Sequence, residues 1–140
     1  MTAVPKALRT FTNPVHPGYF ADPFVLEHAG QYYAYGTGAK SAVGPRFEIL
    51  RSDDLVTWES IGHAIPNVEG TADGDHWAPE VAEHEGTFFL YFSVGGEDRG
   101  HQLRVATADR PEGPFQPAEE VLTPDEPFAS CAALALSSPI

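Results

Sequence analysis

Basic residues, sulfur and long apolar runs are all scarce in this chain. Eight Lys and Arg stand against twenty Asp and Glu, for a formal net charge of −12. A phosphate backbone or an anionic bilayer would repel such a surface, which argues against nucleic acid and membrane as partners. The one cysteine, Cys131, excludes an internal disulfide, and a β protein does not need one. No segment approaches the roughly 20 apolar residues that span a bilayer. Residues 1–10 hold Lys6 and Arg9 but no apolar run of signal-peptide length, so the expected location is the cytoplasm. The six His are scattered, with no close pair at metal-ligand spacing, and no metal or other cofactor is expected. Gly95-Gly96 and Gly36-Thr37-Gly38 lack the lysine and the following helix of a phosphate loop. No Gly-x-Ser-x-Gly elbow presents a serine nucleophile.

Turn formers, by contrast, are plentiful. Thirteen Gly and thirteen Pro in 140 residues favour many short strands over long helices. With 42% hydrophobic and 20% charged residues the chain is globular, with room for one domain and a modest core. Residues 1–18 are irregular, broken by Pro5, Pro14 and Pro17. A strand follows at 19–27, then the turn His28-Ala29-Gly30 and an aromatic strand at 31–37. Further strands are expected at 46–52 and 57–62. The pattern then recurs: Gly30 and Gly86, Tyr32 and Phe88, Tyr35 and Tyr91, Asp53 and Asp109 are each 56 residues apart. A single β-sandwich would not require four landmarks at one offset, whereas a radial repeat does. Four antiparallel strands per unit make one propeller blade. The expected fold is therefore all-β, a β-propeller of about two four-stranded blades, the first at about 19–65 and the second at about 76–121.

The head of the first unit, Tyr19-Phe20-Ala21-Asp22-Pro23-Phe24, carries the first candidate for chemistry. A carboxylate at the start of a blade's innermost strand points into the central channel, where it can act as a base on water. Asp before Pro is also ordinary turn chemistry, so the segment alone does not decide. The second unit begins His76-Trp77-Ala78-Pro79-Glu80-Val81. The Trp77 indole offers either a flat apolar face to a sugar ring or simple core packing. His76, beside it, is a candidate site-lining residue. Glu80 either lines the site or caps a loop.

These segments, with Gly30-Gln31-Tyr32-Tyr33-Ala34-Tyr35-Gly36-Thr37, Ser52-Asp53-Asp54-Leu55-Val56-Thr57-Trp58 and Ala108-Asp109-Arg110-Pro111-Glu112-Gly113-Pro114-Phe115, resemble glycoside hydrolase family 43 over about residues 13–129. The resemblance implies a five-bladed propeller, of which residues 19–129 are a part, and inverting hydrolysis of arabinofuranosides or xylosides. The substrate would be a small saccharide or a plant cell-wall polysaccharide. Asp22 matches the family's general base, and Trp77 and Phe20 become apolar walls of the sugar subsite. A second Asp opening the third blade and an acidic Glu in the fourth complete the family's set. At about the second Asp's place this chain has Cys131, and a thiol, mostly neutral near pH 7, does not replace a carboxylate. The Ala/Leu/Ser-rich segment 130–140 is expected to be an atypical, frameshifted tail, and the fragment to be inactive alone. A non-catalytic carbohydrate-binding fragment is the main alternative. The invertase-like propellers fit less well, because Ala21-Asp22-Pro23-Phe24 departs from their Asn-Asp-Pro-Asn, and the Gly-His and Trp-Asp pattern of protein-binding propellers is absent.

Overall fold

The computed structural model of the chain describes residues 11–39, 44–68, 75–96 and 100–123. Residues 1–10 and the segment 130–140, with Cys131, lie outside the described residues. Eight strands follow in chain order: β1 (Ala21–His28), β2 (Gln31–Thr37), β3 (Gly44–Ser52), β4 (Glu59–Val68), β5 (Asp75–His84), β6 (Thr87–Gly96), β7 (Gly100–Ala108) and β8 (Gln116–Val121). They form two antiparallel four-stranded sheets, β1-β2-β3-β4 (sheet 1) and β5-β6-β7-β8 (sheet 2), each a simple meander. This is the all-β, two-unit architecture that the 56-residue repeat demands. No helix among the described residues is long and apolar enough to cross a membrane.

Pro45 lies in β3 at a register shift between Gly44 and Arg46, and Pro23, Pro66, Pro79 and Pro117 lie on edge strands, which have a ladder partner on one side only. This is why β4 runs on to Val68, past the expected stop near residue 62: Pro66 does not break a strand whose partner lies on one side only. The two β1-β2 and β5-β6 hairpins turn alike. Ala29 and Gly30 have φ of 52° and 79°, and Glu85 and Gly86 have 51° and 80°. Positive φ at both central residues is the type I′ geometry that matches strand twist. In each turn a glutamate two residues before the central pair accepts the glycine N–H: Glu27 Oε1 from Gly30 at 3.1 Å, Glu83 Oε1 from Gly86 at 2.6 Å.

The core lies between the sheets. Tyr33, Tyr35, Phe47 and Ile49 from sheet 1 meet Val81, Leu90, Phe92 and Ala106 from sheet 2. The Pro111-Glu112-Gly113-Pro114-Phe115 segment of sheet 2 clasps sheet 1. Phe115 is fully buried, its N–H donates to Ala64 O at 2.8 Å, and its ring meets Tyr35 edge to face. The Tyr35 hydroxyl donates to Pro111 O at 2.7 Å, and that of Tyr33 to Glu112 Oε1 at 3.0 Å. Burial, and then the Glu112 charge, push the Tyr35 phenol far above its ordinary value; burial and the Glu112 hydrogen bond raise Tyr33. The Ser52-to-Trp58 turn is locally built: Ser52 Oγ accepts the Asp54 and Leu55 N–H groups, and Asp54 Oδ1 those of Val56 and Thr57. That motif is thus turn chemistry rather than a site.

Candidate active site

β5 packs against β1 and β2, so the heads of β1 and β5 lie side by side. Each head contains the same irregularity. In β1 the register slips between Ala21 and Phe24, and Asp22 has φ 47°; in β5 it slips between Trp77 and Glu80, and Ala78 has φ 51°. Asp22 and Ala78 are 56 residues apart. A bulge of this kind re-aims a side chain, and left-handed φ is easier for Asp than for most residues. The Asp22 side chain is exposed, in keeping with a carboxylate available to solvent and ligand.

One buried side chain ties the two heads together. Thr37, at the end of β2, is only 5% exposed. Its Oγ1 accepts the Ala78 N–H at 3.0 Å and donates to Asp22 Oδ2 at 3.3 Å. A hydroxyl has one proton; the N–H takes up a lone pair and leaves that proton for the carboxylate. Sequence reasoning missed Thr37 as a partner of Asp22. A signal existed, because the repeat places a second hydroxyl at Ser93, 56 residues on, whose Oγ donates to Trp77 O at 3.5 Å.

The remaining candidates spread over three surfaces. Trp77 is 41% exposed and stacks on His101 with ring centroids 4.3 Å apart. Glu80 is exposed within β5, opposite Tyr91, on the sheet 2 face that points away from sheet 1. Of its two sequence readings, loop cap and site lining, the first does not apply. His76 points the other way, between the sheets, stacked on Phe92 at 5.7 Å and accepting Arg46 Nε at 3.4 Å on Nδ1. Arg46, nearly buried and unremarked in the sequence, also donates to Gly44 O and Pro45 O at 3.2 Å. A pocket of about 160 Å³ opens here, with Arg46, His63, Asp75, His76 and Trp77 in its lining. Phe20 belongs to the outer face of sheet 1: its ring lies over Gly36, where an added Cβ would meet it at 2.6 Å. Among the described residues no group of three His, Cys, Asp or Glu is placed to hold a metal.

The model of the family described as glycosyl hydrolases family 43 matches residues 11–129. The chain belongs to glycoside hydrolase family 43. Among its relatives, the β-D-galactofuranosidase xynD of Aspergillus niger is 35% identical over 116 residues, covering 74% of this chain and 34% of that protein. The non-reducing end α-L-arabinofuranosidase BoGH43B of Bacteroides ovatus is 29% identical, covering 82% of this chain and 23% of that protein. The crystal structure of a thermostable family 43 glycoside hydrolase superposes with a TM-score of 0.65 at 34% identity, over 78% of this chain and 35% of that one. The chain therefore spans between 23% and 35% of these three relatives. The family 43 structures are β-propellers, and the two sheets of this chain are two of their blades.

Proposed function

We propose that this chain is the base-bearing part of a family 43 glycosidase that hydrolyses arabinose- or xylose-containing saccharides with inversion. One observation carries the reading: an exposed carboxylate, Asp22, at the head of the first blade, held by a buried Thr37 hydroxyl that the second blade in turn holds. In that role Asp22 takes a proton from water as the oxygen bonds to the anomeric carbon and the bond to the leaving oxygen breaks on the opposite side. An inverting enzyme sets its acid roughly 6.5–9.5 Å from its base, leaving room for the water. The family resemblance puts that acid in a fourth blade, and the described residues make up two blades. Proton donation to the leaving group is worth roughly 10²–10⁴ in rate, so the chain alone is inactive on this reading. Trp77 supplies a flat wall for a sugar ring, and His76 lines the adjoining pocket. Phe20 and Glu80 lie on the outward faces of opposite blades, and a part in the subsite for either requires further blades around them.

The test compares the purified chain with the same chain joined to the third to fifth blades of a family relative. The substrates are aryl arabinofuranosides, xylosides and, given the name of the Aspergillus relative, galactofuranosides. The chain alone releases no nitrophenol above background; the joined protein does, with inverted configuration at the anomeric carbon by NMR. Turnover by the chain alone, or retention of configuration, overturns the reading. The exposed Trp77 also favours a second reading, a non-catalytic carbohydrate-binding fragment. Binding of arabinan or xylan oligosaccharides by titration calorimetry, with no turnover even in the joined protein, would select it.

A further inference from the structure

The stack of Trp77 on His101 is not something the fold requires. Trp77 stands at the edge of the β5 bulge, where the register slips before Glu80. A bulge disrupts the ladder and re-aims the side chains beside it, so strand alternation alone does not set the direction of the indole. The contact that sets it lies two strands away. In register, Asp75 faces Gly95 and Gly95 faces His101, while Trp77 faces Ser93 and Ser93 faces Leu103. Neighbouring strands are roughly 4.8 Å apart, so the two rings meet by reaching diagonally over β6 from either side. Gly95 is the β6 residue in the His101 row, and it puts no side chain in their way. The ring centroids are 4.3 Å apart and the planes 29° from parallel. The first blade has the same bulge and nothing like the stack: 56 residues before Trp77, Gly95 and His101 stand Ala21, Ala39 and Pro45.

We propose that His101 is a positioning residue for the sugar wall: it holds the Trp77 indole in one orientation before a saccharide arrives. The inference rests on the reading of Trp77 as that wall, and not on the role of Asp22. An indole has two faces. The imidazole takes one, and the other is left for a sugar ring. A wall set in advance gives up no side-chain freedom when the sugar stacks on it, so it binds more tightly than a loose indole. A stacked aromatic pair is worth about two- to tenfold in an equilibrium. His101 acts through its plane, because its Nδ1 is enclosed by the chain's own atoms and makes no hydrogen bond among the described residues. Both rings belong to sheet 2, so the stack needs no other blade to form. The wall is also set next to the head of the blade: the residue after Trp77 is Ala78, whose N–H holds Thr37.

Trp58→Phe leaves Trp77 as the one tryptophan of the 140-residue chain, and that parent tests the proposal. Time-resolved fluorescence anisotropy reads the nanosecond freedom of the indole, and titration calorimetry reads its affinity for arabinotriose and xylotriose. His101→Ala is expected to lower the residual anisotropy and to raise Kd about two- to tenfold. His101→Leu, which keeps bulk without a flat ring, should do the same, and it carries the test if the alanine variant does not fold. His101→Phe, which keeps a ring and discards both nitrogens, should restore anisotropy and Kd together. Unfolding midpoints should stay near the parent's, since the first blade builds its bulge without a stack. Unchanged anisotropy in the alanine and leucine variants, or a phenylalanine that fails to restore it, overturns the proposal. So does an unchanged Kd in those variants while Trp77→Ala binds more weakly. A Trp77→Ala chain that binds as the parent does removes Trp77 as the wall instead, and the separate anisotropy readout tells the two failures apart.

Discussion

The two blades differ most instructively at their heads. Asp22 and Ala78 occupy the same bulge, adopt the same left-handed backbone, and are each followed by proline. The unusual φ of Asp22 is therefore no mark of catalysis, since an alanine beside it adopts the same conformation without any ionisable group. The bulge is a property of the repeat. What distinguishes the first blade is a carboxylate on that shared backbone and a hydroxyl, Thr37, aimed at it. The second blade uses the equivalent position only for its backbone: the Ala78 N–H anchors Thr37 from the far side. One blade carries the carboxylate and the other holds its hydrogen-bond partner in place.

The largest effect should come from making the first head resemble the second. In the chain joined to the remaining blades, Asp22→Ala is expected to lower kcat by at least the roughly 10²–10⁴ that a general base contributes, with the thermal unfolding midpoint little changed. Ala78→Asp in that background, which moves the carboxylate to the second head, should restore nothing. Steady-state kinetics on aryl glycosides decide it, and near-normal turnover by Asp22→Ala would remove Asp22 from the mechanism.

A second contrast concerns Tyr35 and Tyr91, the same position on a covered and an open face. Tyr35→Phe leaves the buried Pro111 carbonyl without its donor and should cost about 1–3 kcal/mol in urea unfolding. Tyr91→Phe should stay within about 0.5 kcal/mol in dilute, low-salt solution. The pH dependence follows from the same burial. Below a phenol's ordinary value of 10.0 the Tyr35 side chain is neutral in both states and stability is unaffected. Above it the unfolded phenol ionises while burial keeps the folded one protonated, so the unfolded state binds fewer protons and stability falls as pH rises. Urea midpoints should decline from about pH 10 upward, more gently in Tyr35→Phe. Equal alkaline slopes in the two proteins would show that another group drives the loss.

The repeat and its four-strand units were legible because each unit alternates aromatic strands with Gly-marked turns, and a 56-residue offset survives substitution. Asp22 was legible as a candidate because Asp-Pro heads the first unit. Thr37 was not, since its partners are 15 residues before and 41 residues after it, and only packing of one blade on the next brings them together. The split of Trp77 from His76 was likewise hidden: neighbours on a strand point to opposite faces, which sends the indole outward and the imidazole between the sheets. The clasp at Phe115 read as a family motif, and its physical role, a turn of one blade bonded to Ala64 of the other, needed coordinates.

The smallest effect is the sharpest probe of whether the shared bulge is strained. Left-handed φ costs an L-residue roughly 1–2 kcal/mol, less for Asp, whose side chain bonds locally. Ala78 has no such compensation, and its backbone N–H is committed to Thr37. Ala78→Gly keeps that N–H and removes the Cβ, but adds roughly 0.4–1 kcal/mol of unfolded-state entropy. The difference is a net gain of about 0.5–1 kcal/mol, or about 2–4 °C in Tm for a chain of this size. Asp22→Gly should gain less, because it also gives up the Thr37 hydrogen bond. Calorimetric scans of both variants beside the parent separate the cases. If Ala78→Gly lowers Tm while Asp22→Gly raises it, the strain sits in the first head, and the backbone equivalence of the two blades is not an energetic one.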